Sequence, residues 1–196
     1  MKKYVFYIIL AIFLSSCATH GPFSVYKTYG APAPYGEGIH PGFDFDIITG
    51  IPIIAVSYGK VFYIGSPDGI QNGITVQVSN GHFRSVYGHL SKVFVVKNQL
   101  LKRGQFIGLS GASNNYGKLN NHHLLFGICK PPKLCRVDCC TNYSTTYDPD
   151  KFWLDGKPQC FNPNMDYSAY FQKDITLPIA CGDYGKALIA ESERKD

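Results

Sequence analysis

Three histidine-bearing segments hold the side chains that could do chemistry. In His40-Pro41-Gly42-Phe43-Asp44-Phe45-Asp46, a histidine and an aspartate four residues apart flank a glycine. They can converge on one cation if the backbone turns sharply at Gly42, and imidazole nitrogen and carboxylate oxygen are ordinary zinc ligands. The second segment, Tyr87-Gly88-His89-Leu90-Ser91, closes a β-rich run that begins at Phe83. The third, Asn121-His122-His123-Leu124-Leu125-Phe126, leads into another. Any one of these histidines alone reads as a surface or packed residue; their order along the chain is what gives them weight. A second chemical group is the six cysteines after residue 128, Cys129, Cys135, Cys139, Cys140, Cys160 and Cys181. An even count in an exported chain reads as a disulfide set. The competing reading, a metal cluster at Cys129–Cys140, lacks the paired C-x-x-C spacing of structural zinc sites, so disulfides are preferred, with the pairing left open.

The elements that must position these groups are short strands. Between residues 43 and 128, β-rich runs alternate with Gly, Asn and Asp turns: Ile51–Val56, Val61–Ile64, Ile74–Val78, Phe83–His89, Val93–Val96, Phe106–Leu109 and Leu124–Ile128. Many short strands with almost no helical periodicity predict an all-β fold, a compact antiparallel sandwich or barrel-like domain. Asn80-Gly81, between two of the runs, is the strongest hairpin signal in the chain. There is no internal repeat. Residues 129–183 read as irregular and cysteine-stapled, and Ala187–Asp196 as a charged, frayed end.

The N-terminus speaks to compartment. Lys2 and Lys3 precede an apolar run, Tyr4 to Leu14, and then Ser15, Ser16 and Cys17. This is the pattern of a secretory signal peptide, and the run is too short to span a membrane, which takes about 20 residues. Leu14-Ser15-Ser16-Cys17 resembles the bacterial lipobox, which implies lipidation of Cys17 and a membrane anchor. Ala18, where an aspartate would imply inner-membrane retention, favours the outer membrane facing the periplasm. The expected organisation is a signal peptide at 1–16, a Pro/Gly-rich tether at 17–36, a β-rich domain at 37–153 and a cysteine-containing extension at 154–196. Without residues 1–16, 180 of the 196 residues remain, enough for one domain with extensions. The formal charge of +5 falls to +3 without Lys2 and Lys3, and no basic run exists, which argues against a nucleic-acid partner.

Taken in order, His40-x-Gly42-x-Asp44, Gly50-Ile51-Pro52-Ile53-Ile54-Ala55 and Gly59-Lys60-Val61 resemble the lysostaphin-like (LytM-type) zinc endopeptidases. So do Tyr87-Gly88-His89-Leu90, Lys102-Arg103-Gly104-Gln105-Phe106-Ile107-Gly108, Ser110-Gly111 and, near the end, Tyr147-Asp148-Pro149. The resemblance covers roughly residues 37–153. It implies a compact antiparallel sheet with a groove, and zinc held by the His and Asp of the first motif and the last His of a His-x-His strand. It also implies two assisting histidines that move protons and stabilise an oxyanion. His40 and Asp44 match the first two ligands; His89 and His123 match the assisting pair.

The third ligand departs from the family pattern. Aligning Phe126-Gly127-Ile128 with the family strand puts Leu125 at the ligand position, and leucine cannot bind a metal. In a second register, His123 takes the ligand position and Asn121 the catalytic one. The Leu125 register is preferred, because loops absorb insertions easily whereas strand register is tightly specified. Gly127 stands where the family usually has an acidic residue, which relaxed constraint or a bulge would explain. The leading expectation is therefore a degenerate groove that binds peptidoglycan, or a partner such as a wall amidase or another envelope protein, with zinc only if the site is functional and otherwise none. The alternatives are an active zinc endopeptidase cleaving peptidoglycan cross-links, through the shifted register or a three-histidine arrangement in which His123 or His89 ligates the metal, and a structural or host-facing lipoprotein.

Overall fold

A computed structural model of the chain describes residues 23–32, 38–67, 72–113, 121–131, 140, 143–170 and 172–194. Cys17, Cys135 and Cys139 lie outside the described residues. The described residues form ten short strands: β1 Val25–Lys27, β2 Phe43–Phe45, β3 Pro52–Ile54, β4 Gly59–Gly65, β5 Ile74–Ser79, β6 Arg84–Val93, β7 Leu100–Leu101, β8 Phe106–Ser113, β9 Asn121–Cys129 and β10 Thr146–Tyr147. All their pairings are antiparallel. The sheet runs β1-β2-β9-β8-β6-β5-β4-β7, with β3 on β8, β10 on β9 and an additional β6–β9 pairing. The expected compact antiparallel core with a groove is what the chain adopts.

The Asn80-Gly81 signal makes the β5–β6 hairpin. Asn80 Oδ1 accepts from the backbone N–H groups of His82 and Phe83, each at 3.0 Å, and Gly81 takes φ +90°, which only glycine reaches without strain. The expected run Val93–Val96 is not a separate strand. β6 ends at Val93, and Val96, 67% exposed, opens a turn that passes through Asn98 at φ +72°.

The core is aromatic and aliphatic. Trp153 stacks on Phe43 and Phe126, with ring centroids 6.3 Å away in each case, and Tyr87 is fully buried, its hydroxyl accepting from the Val56 N–H at 3.0 Å. Burial pushes the Tyr87 phenol up to about 12, so it stays protonated. The C-terminal extension belongs to this core. Ile175, Leu177 and Ile179 are each fully buried; the Ile54 N–H donates to the Pro178 carbonyl and the Ala180 N–H to that of Pro52. Cys160–Cys181 staples the extension, and Cys129–Cys140 closes the end of β9.

The expected frayed end is instead helix α1, Gly182–Glu193. Leu188 packs it against Ile54, Phe106 and Ala180, and the Tyr184 hydroxyl donates to the Gly104 carbonyl at 2.8 Å. Its charged sequence hid the few contacts that hold it, as tertiary packing rather than propensity decides short helices. No described helix is long and apolar enough to cross a membrane.

Candidate active site

The groove is floored by β9. Leu125 pairs with Asp44 of β2 on one side and Gly88 of β6 on the other. Two residues earlier, on the same face of the strand, His123 pairs with Gly111 of β8. His123 is buried, while His122 points outward and meets Thr49 Oγ1 through Nδ1 at 2.8 Å.

His40, His89 and His123 are each oriented by one backbone carbonyl. His40 Nδ1 donates to Gly42 (2.8 Å), His89 Nδ1 to Asn72 (2.7 Å) and His123 Nδ1 to Asn121 (2.9 Å). A carbonyl oxygen only accepts, so each Nδ1 carries its hydrogen and each Nε2 is left for the groove. His40 needs the tight turn that the sequence suggested at Gly42, where a Cβ would collide with the Phe126 carbonyl. His89 sits where β6 changes partner: residues 84–88 pair with β9, and 90–93 with β8. It adopts φ +62°, a strained conformation for a non-glycine residue, and Gly73 lies so close to its backbone that a Cβ there would approach His89 Cα to 3.0 Å.

These elements bring the four expected polar residues together. His40 Nε2 lies 3.2 Å from Asp44 Oδ1 and His123 Nε2 lies 4.0 Å from the same oxygen, while the His89 and His123 rings are 4.4 Å apart. With Nδ1–H of His40 given to Gly42, its Nε2 can face the carboxylate only through a proton or a cation. Burial, the largest influence on Asp44, raises its pKa, yet the hydrogen bond from His40 and the charges of His40, His123 and Lys27 together hold the carboxyl below its usual range. His123 is itself pushed down to about 4 by burial and then by the neighbouring His89.

The zinc implied by the family pattern finds an incomplete ligand set here. Two atoms bound tetrahedrally to one zinc at ~2.0–2.1 Å stand ~3.3 Å apart; His40 and Asp44 meet that spacing, and His123 is set wider. Leu125 fills the β9 position between Asp44 and Gly88, and among the described residues no group of three or more His, Cys, Asp or Glu side chains is arranged to hold a metal ion. Gly127 sits in a β6–β9 pairing without a register shift, so no bulge accounts for it.

Sequence reasoning missed Tyr26. It lies on β1, inside the segment read as a tether, where the pairing with β2 shifts register between Val25 and Lys27. Its ring meets the His123 ring edge-on at 5.7 Å, and Asn121 Nδ2 donates to its hydroxyl oxygen at 3.5 Å. Burial and then the Asp44 charge raise its pKa, keeping the phenol protonated. Val25-Tyr26-Lys27 alternates like an edge strand, but three residues are too short a period to stand out.

Comparison with known proteins agrees with this architecture. The model of peptidase family M23 matches residues 38–138. The peptidoglycan DD-endopeptidase ShyB of Vibrio cholerae is 36% identical over 89 residues, 45% of this chain and 20% of that protein. Lysostaphin of Staphylococcus simulans is 41% identical over 91 residues, 44% of this chain and 18% of that protein. The matched stretch thus spans about a fifth of these relatives' length. Among solved structures, the catalytic domain of the antimicrobial peptidase lysostaphin from Staphylococcus simulans superposes with a TM-score of 0.54 at 30% identity, covering 66% of this chain and 90% of that one. Half of the sequence, the antiparallel fold and the clustered His40, Asp44, His89 and His123 point the same way: the chain belongs to peptidase family M23.

Proposed function

We propose that this M23 domain binds peptidoglycan in its groove without hydrolysing it, and acts on the wall by regulating a hydrolase such as an amidase. The observation that carries this reading is Leu125, an aliphatic side chain set between Asp44 and Gly88 where the family pattern calls for a third metal ligand. A catalytic zinc takes three protein ligands and a water; His40 and Asp44 supply two. The groove otherwise keeps an oriented, polar constellation suited to holding a ligand. The peptidoglycan assignment draws on the names of the relatives, ShyB above all.

One observation favours a second reading, an active zinc endopeptidase: His123 Nε2 stands 4.0 Å from Asp44 Oδ1, so a modest side-chain shift would let it serve as the third ligand. Zinc content separates the two. Purified protein dialysed against trace zinc is expected to retain far less than one zinc per chain by elemental analysis, and to bind isolated sacculi without releasing soluble fragments. Stoichiometric zinc, lost in Asp44→Ala together with sacculus cleavage, would overturn the non-hydrolytic reading in favour of the second.

The same proposal places the domain at the outer membrane, facing the periplasm, held by a lipid on Cys17. Its support is the Leu14-Ser15-Ser16-Cys17 pattern after a basic and apolar leader. Metabolic labelling with a fatty acid is expected to mark the wild type and not Cys17→Ala; an unlabelled wild type would refute the anchor.

A further inference from the structure

Seven large hydrophobic side chains stand exposed among the described residues, and three of them, Tyr58, Val96 and Leu100, gather at one end of the sheet. β7 is the last strand in the sheet order and has β4 on one side only. Leu100 pairs there with Lys60, and Gly59, next to Tyr58, pairs with Leu101. Val96 opens the turn that leads into β7; it is 67% exposed, and Leu100 60%. Hydrogen bonds fix this turn. Val96 N–H donates to Gln99 Oε1 at 3.0 Å, Gln99 N–H to the Val96 carbonyl at 3.1 Å, and Asn98 N–H to the Val61 carbonyl at 2.8 Å. Two apolar side chains are thus held out into water on an ordered tip, which lowers the entropy lost when they meet a partner.

Lys60, Lys97 and Lys102 surround them. All three are exposed, and none is in an ion pair among the described residues. From Ile47 to Val137 the sequence carries ten Lys and Arg against one acid, Asp68. Glu191 borders this end of the sheet, across a cavity lined by Gln99 and Gln105, without pairing with any of the three lysines. Lysine on an edge strand discourages a second copy from adding to it, but that role gives no reason for valine and leucine at the same tip. Protruding apolar residues ringed by unpaired cations are complementary to a surface that is anionic on top and apolar beneath. A protein partner would instead require a broad, closely packed patch.

We propose that the β4–β7 edge docks on an anionic lipid surface, with Val96 and Leu100 in the headgroup layer, Tyr58 at its boundary and the three lysines on lipid phosphates. This stands apart from the peptidoglycan reading and does not require a lipid on Cys17. β1, the strand that follows Cys17 in the chain, stands at the other end of the sheet order. An acylated Cys17 would therefore add a second contact, and the two together would fix which way the groove faces.

The test is flotation of residues 18–196, which hold every described strand and helix. The vesicles are phosphatidylcholine alone, or phosphatidylcholine mixed two to one with phosphatidylglycerol. Wild type is expected to float with the anionic vesicles and far less with the neutral ones. Lys97→Gln with Lys102→Gln should weaken partition about 25-fold, roughly fivefold per lysine. Lys151→Gln with Lys157→Gln removes the same charge from exposed positions outside this edge. It should change partition by less than about twofold, because charges beyond a Debye length from the lipid are screened. Val96→Ser with Leu100→Ser should weaken partition about tenfold, with an unchanged Tm because both side chains are exposed. Equal losses in the two lysine pairs would reduce the effect to net charge and overturn the proposal. Wild-type partition in the Val96, Leu100 variant would reassign the lysines to a soluble polyanion and overturn it as well. A folded wild type that ignores anionic vesicles would overturn it outright, leaving the peptidoglycan reading untouched.

Discussion

At the scale of single residues, the decisive position is 125. Its backbone pairs with Asp44 of β2, and its side chain lies on the same face of β9 as that of His123. The β6–β9 ladder runs from Arg84↔Cys129 to Gly88↔Leu125 without a register shift. The difference therefore lies in the side chain alone, which makes it reversible. Leu125→His is expected to place a third imidazole beside His40 and Asp44 and to raise retained zinc from well below one per chain to near one, measured by elemental analysis after dialysis. Because Leu125 is only partly buried and Gly88 beside it has no side chain, the cost in stability should stay at or below about 1–2 kcal/mol, within the common range for single substitutions. An unchanged zinc content in a well-folded Leu125→His protein would show that the groove excludes metal for reasons beyond this one side chain.

Strands, and the turns between them, explain why the four polar groups were legible as a set while their partners were not. His40, Asp44, His89 and His123 are 83 residues apart at the extremes, but each lies on or beside a strand whose neighbours the antiparallel order fixes. The Gly42 turn and the Asn80-Gly81 hairpin were readable because glycine at a crowded or positive-φ position leaves a local trace. His89 was readable as a residue but not in its conformation: the left-handed backbone follows from β6 leaving β9 for β8, a change of partner that no local pattern encodes. Tyr26 was invisible for a similar reason, because the three residues of β1 are a strand only through their pairing with β2 at the edge of the sheet. Val93–Val96 misled in the opposite direction. Its β-branched residues suit a strand, but Phe94 sends only one N–H to Ile107 before the chain turns at Val96 to bring Asn98 N–H to the Val61 carbonyl. Local propensity is a weak vote when a neighbouring strand ends.

For the molecule as a whole, the question is whether residues after Trp153 are an appendage or part of the domain. In sequence they looked separate, since they follow the last family motif, carry two of the cysteines and lack a long apolar run. Ile175-Thr176-Leu177-Pro178-Ile179 did hold a period-two signal, obscured by a proline that cannot donate to a ladder. In the fold that segment lies along β3, with Ile53 bridged to Ile179 and Trp153 to Ile175. Arg103 links the start of the segment to the residues after β3, donating to the carbonyls of Asp174 and Val56 at 2.7 Å each. Ile175, Leu177 and Ile179 are fully buried, and at roughly 1.5–3 kcal/mol for each buried side chain their loss alone rivals the ~5–15 kcal/mol by which a domain is stable. The Cys160–Cys181 bridge contributes less, about 3 kcal/mol for a closed loop of this length. The two contributions separate experimentally. A chain ending at Trp153 is expected to show no cooperative thermal transition by near-ultraviolet circular dichroism. The full chain with Cys160→Ser and Cys181→Ser should still unfold cooperatively, with Tm lower by about 6–12 °C, given ~2–4 °C per kcal/mol for a protein of this size. A truncated chain that melts sharply near the wild-type temperature would mean that β3 finds other cover, and that the extension is carried by the M23 domain instead of completing it.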